Sequence, residues 1–251
     1  MIILNCETRV STLDSLSLIY NVLAPEIELF LQGIDLEQHY IENSPQISGE
    51  KELIRLFEQK HNCVVYPVDR VFWFHLTRAK PGTDFGSGIF PLIEVLPSIW
   101  DTLEEILKGT EHESLFRNFR NKGIQNSQYQ LKTSSCRHSG PYAMLVRESA
   151  FRCQEMGTHD YLKLPEIIED ICNGFYNSTG IMIHKNISIN LVPHIVKFWS
   201  TEKTGKDCIE SAMYYLYLTA HNQKLTIYAN TCFDGGNCAI KPEQIVQIET
   251  N

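Results

Sequence analysis

The chain has 251 residues, of which 43% are hydrophobic and 21% are charged, and its formal net charge is −8. This length and composition suit a globular protein with a filled core and exclude an intrinsically disordered chain. The negative charge argues against a protein that binds nucleic acid by neutralising many phosphates.

The cysteines and the N-terminus bear on the compartment. Eight cysteines are spread along the chain without a CxxC pair, and no Cys/His spacing matches a zinc finger or ribbon. The N-terminus lacks the basic and apolar regions of a signal peptide, and no apolar run is long enough to span a membrane. We therefore expect a cytoplasmic protein without a metal site or a membrane partner.

The first sixty residues have helical patterns. Ser11 and Asp14 begin a helix that runs to Ala24, Pro25 opens a second helix that Gly33 ends, and a third helix covers 50–60. These patterns predict a helical N-terminal extension over residues 1–61, serving as a cap or an interaction module, followed by one domain over residues 62–251.

After the extension, the chain alternates irregularly between strand and helix patterns. No glycine-rich phosphate loop occurs, so the order favours an α+β fold over a doubly wound parallel sheet. The predicted strands are 64–68, 71–77, 141–147, 181–191, 194–199, 225–230 and 239–249, and the predicted helices are 97–108, 114–121, 165–173 and 206–220, with a polar loop beyond residue 121.

The strand Val71–Arg78, with the sequence VFWFHLTR, places polar side chains at the end of an aromatic run. Strand alternation directs His75 and Thr77 to one face and Arg78 to the other face or to the strand end. These groups suit a ribose hydroxyl and a phosphate. The competing interpretation is a core histidine that hydrogen-bonds within the protein.

Two segments carry a resemblance to a known family. The aromatic strand ending in His-x-Thr-Arg, followed by Gly-Ile-x-Pro-Leu at 88–92, resembles the first core strand of the ADP-ribosyltransferase fold. The segment Ile-x-Pro-Glu-x-Ile-Val at 240–246 is similar to the closing strand of such domains. The resemblance covers residues 64–249. It implies split antiparallel or mixed sheets with flanking helices.

The resemblance also implies a set of site residues. His75 and Thr77 would bind the adenosine ribose of NAD, which is the substrate, and Arg78 would bind the pyrophosphate because its planar fork suits phosphate oxygens. Tyr142 would stack on the nicotinamide. We also expect Arg147 to contribute to NAD binding.

The catalytic carboxylate is harder to assign. The family usually places a glutamate near the closing strand, whereas this chain has Asp234 in an Asp-Gly-Gly sequence that is also a good turn. Glu148 and Glu210 are the other carboxylate candidates. If none of them reaches the nicotinamide ribose, the site binds NAD without turnover or uses polar groups such as Asn237.

The resemblance implies an NAD-dependent mono-ADP-ribosyltransferase, acting as a bacterial toxin or antiviral-defence effector. Its acceptor would be a protein or a single-stranded nucleic acid, and an antitoxin or inhibitor protein is a possible partner. The net positive stretch 116–138 is either a docking surface for an anionic target or a solvated face. The alternatives are a catalytically inactive NAD- or partner-binding protein on the same fold, and a metal-dependent nuclease or deaminase.

Overall fold

The computed structural model describes residues 1–134 and 139–250. Within these ranges the chain forms eleven α-helices and a six-stranded sheet, which confirms the α+β class. The helices are α1 (Arg9–Tyr20), α2 (Ala24–Gly33), α3 (Leu36–Asn43), α4 (Gly49–His61), α5 (Leu92–Leu107), α6 (Glu113–Lys122), α7 (Ser127–Thr133), α8 (Cys153–Met156), α9 (Glu166–Thr179), α10 (His184–Asn190) and α11 (Lys206–Ala220). The strands are β1 (Ile3–Leu4), β2 (Arg70–Ala79), β3 (Tyr142–Met144), β4 (Val192–Ser200), β5 (Cys232–Asp234) and β6 (Ile245–Thr250).

Strand β2 has a neighbour on each side in the sheet. The strand order is β5-β3-β2-β4-β6, and β1 pairs with β2 off this path. The β2–β3 pair is antiparallel, with Phe74 opposite Met144, whereas β1 runs parallel to β2. Val71 and Trp73 are fully buried, as expected for a strand of bulky and β-branched residues.

The chain divides into two compact units. The first unit contains Met1–Phe74, Ala143–Thr158 and Phe198–Phe233, and the second contains His75–Tyr142, His159–Lys197 and the chain from Asp234 onward. The chain passes from the first unit to the second within β2. The boundary predicted between residues 61 and 62 falls inside the first unit.

Helix α11 is central to the first unit. Helices α1, α2 and α4 all pack against it. The rings of Tyr20 and Phe30 each meet Phe57 edge-on, with centroids 4.9 and 5.1 Å apart. The helical prediction for the first sixty residues is confirmed, and α11 has the predicted bounds because its apolar stripe is continuous and Gly205 precedes it.

Helix α1 begins earlier than its sequence pattern indicated. Thr8 is the N-cap, and its side chain accepts from the backbone N–H of Ser11, while the Ser11 side chain accepts from the Thr8 N–H. This reciprocal capping box satisfies two of the free N–H groups of the first turn. Ser11 is thus the third helical residue and not the cap.

An aromatic cluster forms the core of the second unit, where Trp100, Phe116, Phe119 and Phe175 pack together. Helix α9 continues through Gly174, which we expected to end it. A Cβ at Gly174 would lie 2.9 Å from Ile124 Cγ2, so this glycine permits close packing inside the helix. The helix instead ends before Gly180, whose φ is +75°.

Several other predicted elements were wrong. The segment 181–191 is not a strand but contains α10, because Ile183 and Ile187 are buried in the aromatic core at helical spacing. Helix α5 starts before the predicted residue 97. The segment 64–68 is irregular, 225–230 holds a short 3₁₀ helix, only 245–250 of the closing segment is strand, and the expected polar loop contains α7.

Candidate functional site

His75 lies on β2 and is held by the backbone of β3. Its Nδ1 is 2.7 Å from the carbonyl oxygen of Tyr142. Because a carbonyl only accepts hydrogen bonds, Nδ1 carries the proton and Nε2 keeps its lone pair. Burial lowers the pKa of the imidazole, and the hydrogen bond to the carbonyl only partly offsets this. His75 is therefore neutral near pH 7, and the residue is partly buried.

Arg78 is engaged by the backbone of its own unit. Its guanidinium donates to the carbonyl oxygens of Leu162 at 2.7 Å, of Ser188 at 2.6 Å and of Leu191. Burial lowers the pKa of this guanidinium. These bonds give Arg78 a structural role in joining the loop at Leu162 to the C-terminal end of α10, and its assignment to a pyrophosphate stays a prediction. Thr77, one residue before it, is partly buried.

Tyr142 opens β3 with its side chain 43% exposed. Its position depends on Gly140, whose φ is +66°. A Cβ at Gly140 would lie 2.8 Å from the backbone nitrogen of Tyr142 and 2.9 Å from its ring carbon Cδ2, so only glycine fits. The Tyr142 ring therefore lies close to the backbone of Gly140, and the residue remains partly exposed to solvent.

Asp234 ends β5 and begins a tight turn. Its Oδ1 accepts a hydrogen bond from the backbone N–H of Gly236 at 3.0 Å. The N–H of Gly235 donates to the carbonyl of Pro141, and the N–H of Asn237 donates to the carbonyl of Gly140, both at 3.0 Å. These two bonds join the Asp234 turn to the loop that leads into Tyr142.

The carboxylate of Asp234 acts electrostatically on Tyr142. Burial raises the pKa of the Tyr142 phenol, and the negative charge of Asp234 raises it further. Tyr142 on β3 thus interacts with both His75 on β2 and Asp234 on β5, the two neighbouring strands. No local sequence pattern indicates this arrangement, because it depends on the pairing of two distant loops.

The two segments that carry the family resemblance also pair with each other. Ile89 and Ile240 form an antiparallel bridge with N···O distances of 2.9 and 2.8 Å. Gly88 lies so close that a Cβ there would come within 2.3 Å of the Ile240 carbonyl oxygen. Any side chain at position 88 would collide with this oxygen, so glycine is required before Ile89.

The remaining predicted site residues have other surroundings. Arg147, Glu148 and Glu210 lie in the first unit. The Arg147 guanidinium is 5.2 Å from the centroid of the Phe151 ring. The Glu148 carboxylate accepts from the Tyr215 hydroxyl at 2.9 Å. Their roles toward NAD stay predictions.

Asn237 and Glu210 each hold a buried polar group. The Asn237 Oδ1 has no hydrogen-bond partner within the described residues. Burial raises the pKa of the Glu210 carboxyl on α11.

The basic stretch 116–138 is largely neutralised where the structure describes it. Arg117 pairs with Glu113 at 3.0 Å, Arg120 with Asp101 at 2.8 Å, and Lys132 with both Glu166 and Asp170. Arg137 and His138 lie outside the described residues. These pairs favour the solvated-face interpretation of the stretch.

The chain matches no protein-family model, no curated protein and no solved structure. Among the helices of residues 1–134 and 139–250, none combines the length and apolar character required to cross a membrane.

Proposed function

We propose that the chain is an NAD-dependent mono-ADP-ribosyltransferase whose site is centred on His75, Tyr142 and Asp234. The observation that carries this proposal is the neutral His75 imidazole, which is anchored through Nδ1 to the Tyr142 carbonyl. Its Nε2 lone pair is left to accept a hydrogen bond. Tyr142 itself is 43% exposed, and the carboxylate of Asp234 acts electrostatically on its phenol.

Each of the three groups suits one task in binding and cleaving NAD. The Nε2 of His75 would accept a hydrogen bond from a ribose hydroxyl. The exposed face of Tyr142 would stack on the nicotinamide ring. The carboxylate of Asp234 would stabilise the positive charge that develops on the ribose when the glycosidic bond stretches.

The reaction breaks the bond between ribose C1′ and the nicotinamide nitrogen. Nicotinamide leaves with the bonding electron pair and becomes neutral. A lone pair of the acceptor forms the new bond to C1′, and the acceptor loses a proton. The negative net charge and the paired cations of the basic stretch favour a protein acceptor over a nucleic acid. A toxin or defence role, with an antitoxin as partner, rests on the resemblance alone.

Transfer of label from NAD to protein in a cell extract tests the proposal. Wild-type protein is expected to transfer label, and His75→Ala and Asp234→Asn are expected to lose at least about 100-fold of the rate. Asp84→Asn is the matched control, because Asp84 is also exposed and its Oδ1 accepts from Gly86 N–H at 2.9 Å in the same kind of turn. Equal transfer by all four proteins contradicts the site.

The second candidate is a catalytically inactive NAD-binding protein. One observation favours it: the short Asp234 side chain already accepts a hydrogen bond from the turn, which restrains its reach. Binding of NAD without label transfer or release of nicotinamide would establish this function. If His75→Ala then loses NAD binding, the binding site at His75 is supported and only the catalytic role is rejected.

A further inference from the structure

A cavity of about 350 Å³ lies within the first unit, in the size range of small-ligand pockets. It belongs to the first unit, whereas His75, Tyr142 and Asp234 belong to the second, and nothing in the proposed function uses it. The residues that line it come from the ends of α1 and α4, the irregular segment 65–68 and the start of α11, and include Tyr20, Glu58, Val65, Tyr66, Val68, Lys206 and Ile209.

Tyr20 supplies a buried polar group to this cavity. The residue is only 1% exposed, and its ring packs edge-on against Phe57. No hydrogen bond reaches its hydroxyl from the part of the chain that the structure describes. The hydroxyl is therefore available to form a hydrogen bond with a polar ligand atom in the cavity.

Negatively charged carboxylates act on the Tyr20 hydroxyl. Glu58 lines the same cavity. Glu210 is only 8% exposed, and its carboxyl is influenced by the charges of Lys206 and Lys51. Burial raises the pKa of the Tyr20 phenol, and the charges of Glu58 and Glu210 raise it further. The hydroxyl is thus protonated and lies in a field that attracts cations.

Lys206 offsets this field only weakly. Its Nζ lies 4.0 Å from Glu58 Oε2, and its side chain is 65% exposed. A pair this long and this accessible to water contributes little. Lys206 therefore competes only weakly with a ligand cation for the Glu58 carboxylate.

We infer that this cavity binds a primary alkylammonium group. The ammonium would donate to the Tyr20 hydroxyl oxygen and to the Glu58 carboxylate, and its alkyl chain would lie along Val65, Val68 and Ile209. The exposed aromatic residue Tyr66 suits a cation with an apolar stem. Such a group occurs both in free alkylamines and in lysine side chains of peptides.

Isothermal titration calorimetry of the full chain tests this site. Hexylamine is the probe, and hexanol and hexanoate have the same chain length with a neutral and an anionic head. Hexylamine is expected to bind at least about tenfold more tightly than hexanol, since hydrogen bonds to charged groups are the stronger ones. Hexanoate is expected not to bind. Equal affinity for amine and alcohol, or no binding of amine at millimolar concentration, overturns the inference.

Variants locate the binding. Tyr20→Phe and Glu58→Gln are each expected to weaken hexylamine about tenfold. The matched control is Glu26→Gln, which changes an exposed glutamate of α2 in the same unit and leaves the affinity unchanged. Val65→Trp fills the cavity from an exposed, irregular segment and is expected to abolish binding even if a polar variant proves unstable. Unchanged affinity in Val65→Trp overturns the inference.

An acetylated and amidated Ala-Lys-Ala peptide distinguishes the two sources. Binding of the peptide as well as hexylamine indicates a lysine side chain as the natural ligand, and binding of hexylamine alone indicates a free amine. Both results require the ammonium site. Because NAD is absent from these titrations, their outcome is independent of the proposed transferase activity.

Discussion

Two Asp-x-Gly turns of the second unit have the same local structure and different surroundings. In each, the aspartate Oδ1 accepts from the N–H two residues later, Asp84 from Gly86 at 2.9 Å and Asp234 from Gly236 at 3.0 Å. The Asp84 turn places Phe85 against the His194 ring. The Asp234 turn pairs with the loop before Tyr142.

The difference shows that the turn sequence alone does not define a site. Both aspartates are exposed and both turns satisfy their own backbone. Only Asp234 acts electrostatically on a tyrosine whose backbone also holds a histidine. The pairing of strands β5, β3 and β2 therefore turns a common local motif into a candidate site.

The largest expected contrast is in transferase activity. Asp234→Asn removes the charge that would face the ribose cation, and we expect a loss of about 100-fold or more in the rate of label transfer. Asp84→Asn removes a charge from the equivalent turn and is expected to stay within about twofold of wild type. Similar losses in both variants would mean that turn stability, and not charge at the site, sets the rate.

A smaller effect is expected when the aromatic ring of the site is removed. Tyr142→Ala loses the stacking surface, which corresponds to about 1–3 kcal/mol and a 5- to 150-fold weaker NAD affinity. Tyr142→Phe keeps the ring and is expected to bind NAD nearly as well as wild type, as measured by calorimetry. If Tyr142→Phe binds as poorly as Tyr142→Ala, the hydroxyl and not the ring is the contact.

The two turns also differ in how tightly they are packed. A Cβ at Gly235 would lie 2.7 Å from Pro141 Cδ and 3.0 Å from the Cys238 carbonyl oxygen, whereas a Cβ at Gly86 meets only the Asp84 side chain, at 3.2 Å. We expect Gly235→Ala to lower the free energy of unfolding by about 1–3 kcal/mol. Gly86→Ala should change it by less than about 1 kcal/mol. Urea unfolding measures both, and equal values would show that the Asp234 turn is not wedged against the Tyr142 loop.

The smallest expected effect is the pH dependence that His75 contributes. Burial lowers the folded-state pKa below the unfolded value of about 6.5. The unfolded chain then binds the proton more readily, so this contribution to stability is complete above pH 6.5 and is lost as the pH falls toward the folded pKa. His75→Gln should show a shallower loss of unfolding free energy between pH 7 and pH 5 than wild type. An identical slope would mean that the imidazole is not desolvated.

The parts of the fold that local patterns determine were predictable. Helix α11 has the expected bounds because one apolar stripe and one preceding glycine define it. The segment that contains α10 was assigned to a strand because its isoleucines have high β-propensity. The packing of Ile187 into the aromatic core favours a helix in this segment, and the local sequence does not indicate this contact.

The surroundings of His75 were not predictable from the local sequence. The aromatic strand indicated that His75 needed a partner, but the partner is the Tyr142 backbone carbonyl, which carries no side-chain signal. The 225–230 segment failed as a strand for a related reason. The side chain of Asn230 accepts from the N–H groups of Leu145 and Val146, each at 3.0 Å, and the Leu145 N–H also donates to the Thr231 carbonyl at 3.0 Å.

A crystal structure with a non-hydrolysable NAD analogue would show whether NAD binds at the Nε2 side of His75. We expect a ribose hydroxyl within hydrogen-bond distance of His75 Nε2 and the nicotinamide ring against Tyr142. An analogue bound elsewhere, with Nε2 facing only protein, would contradict this binding mode.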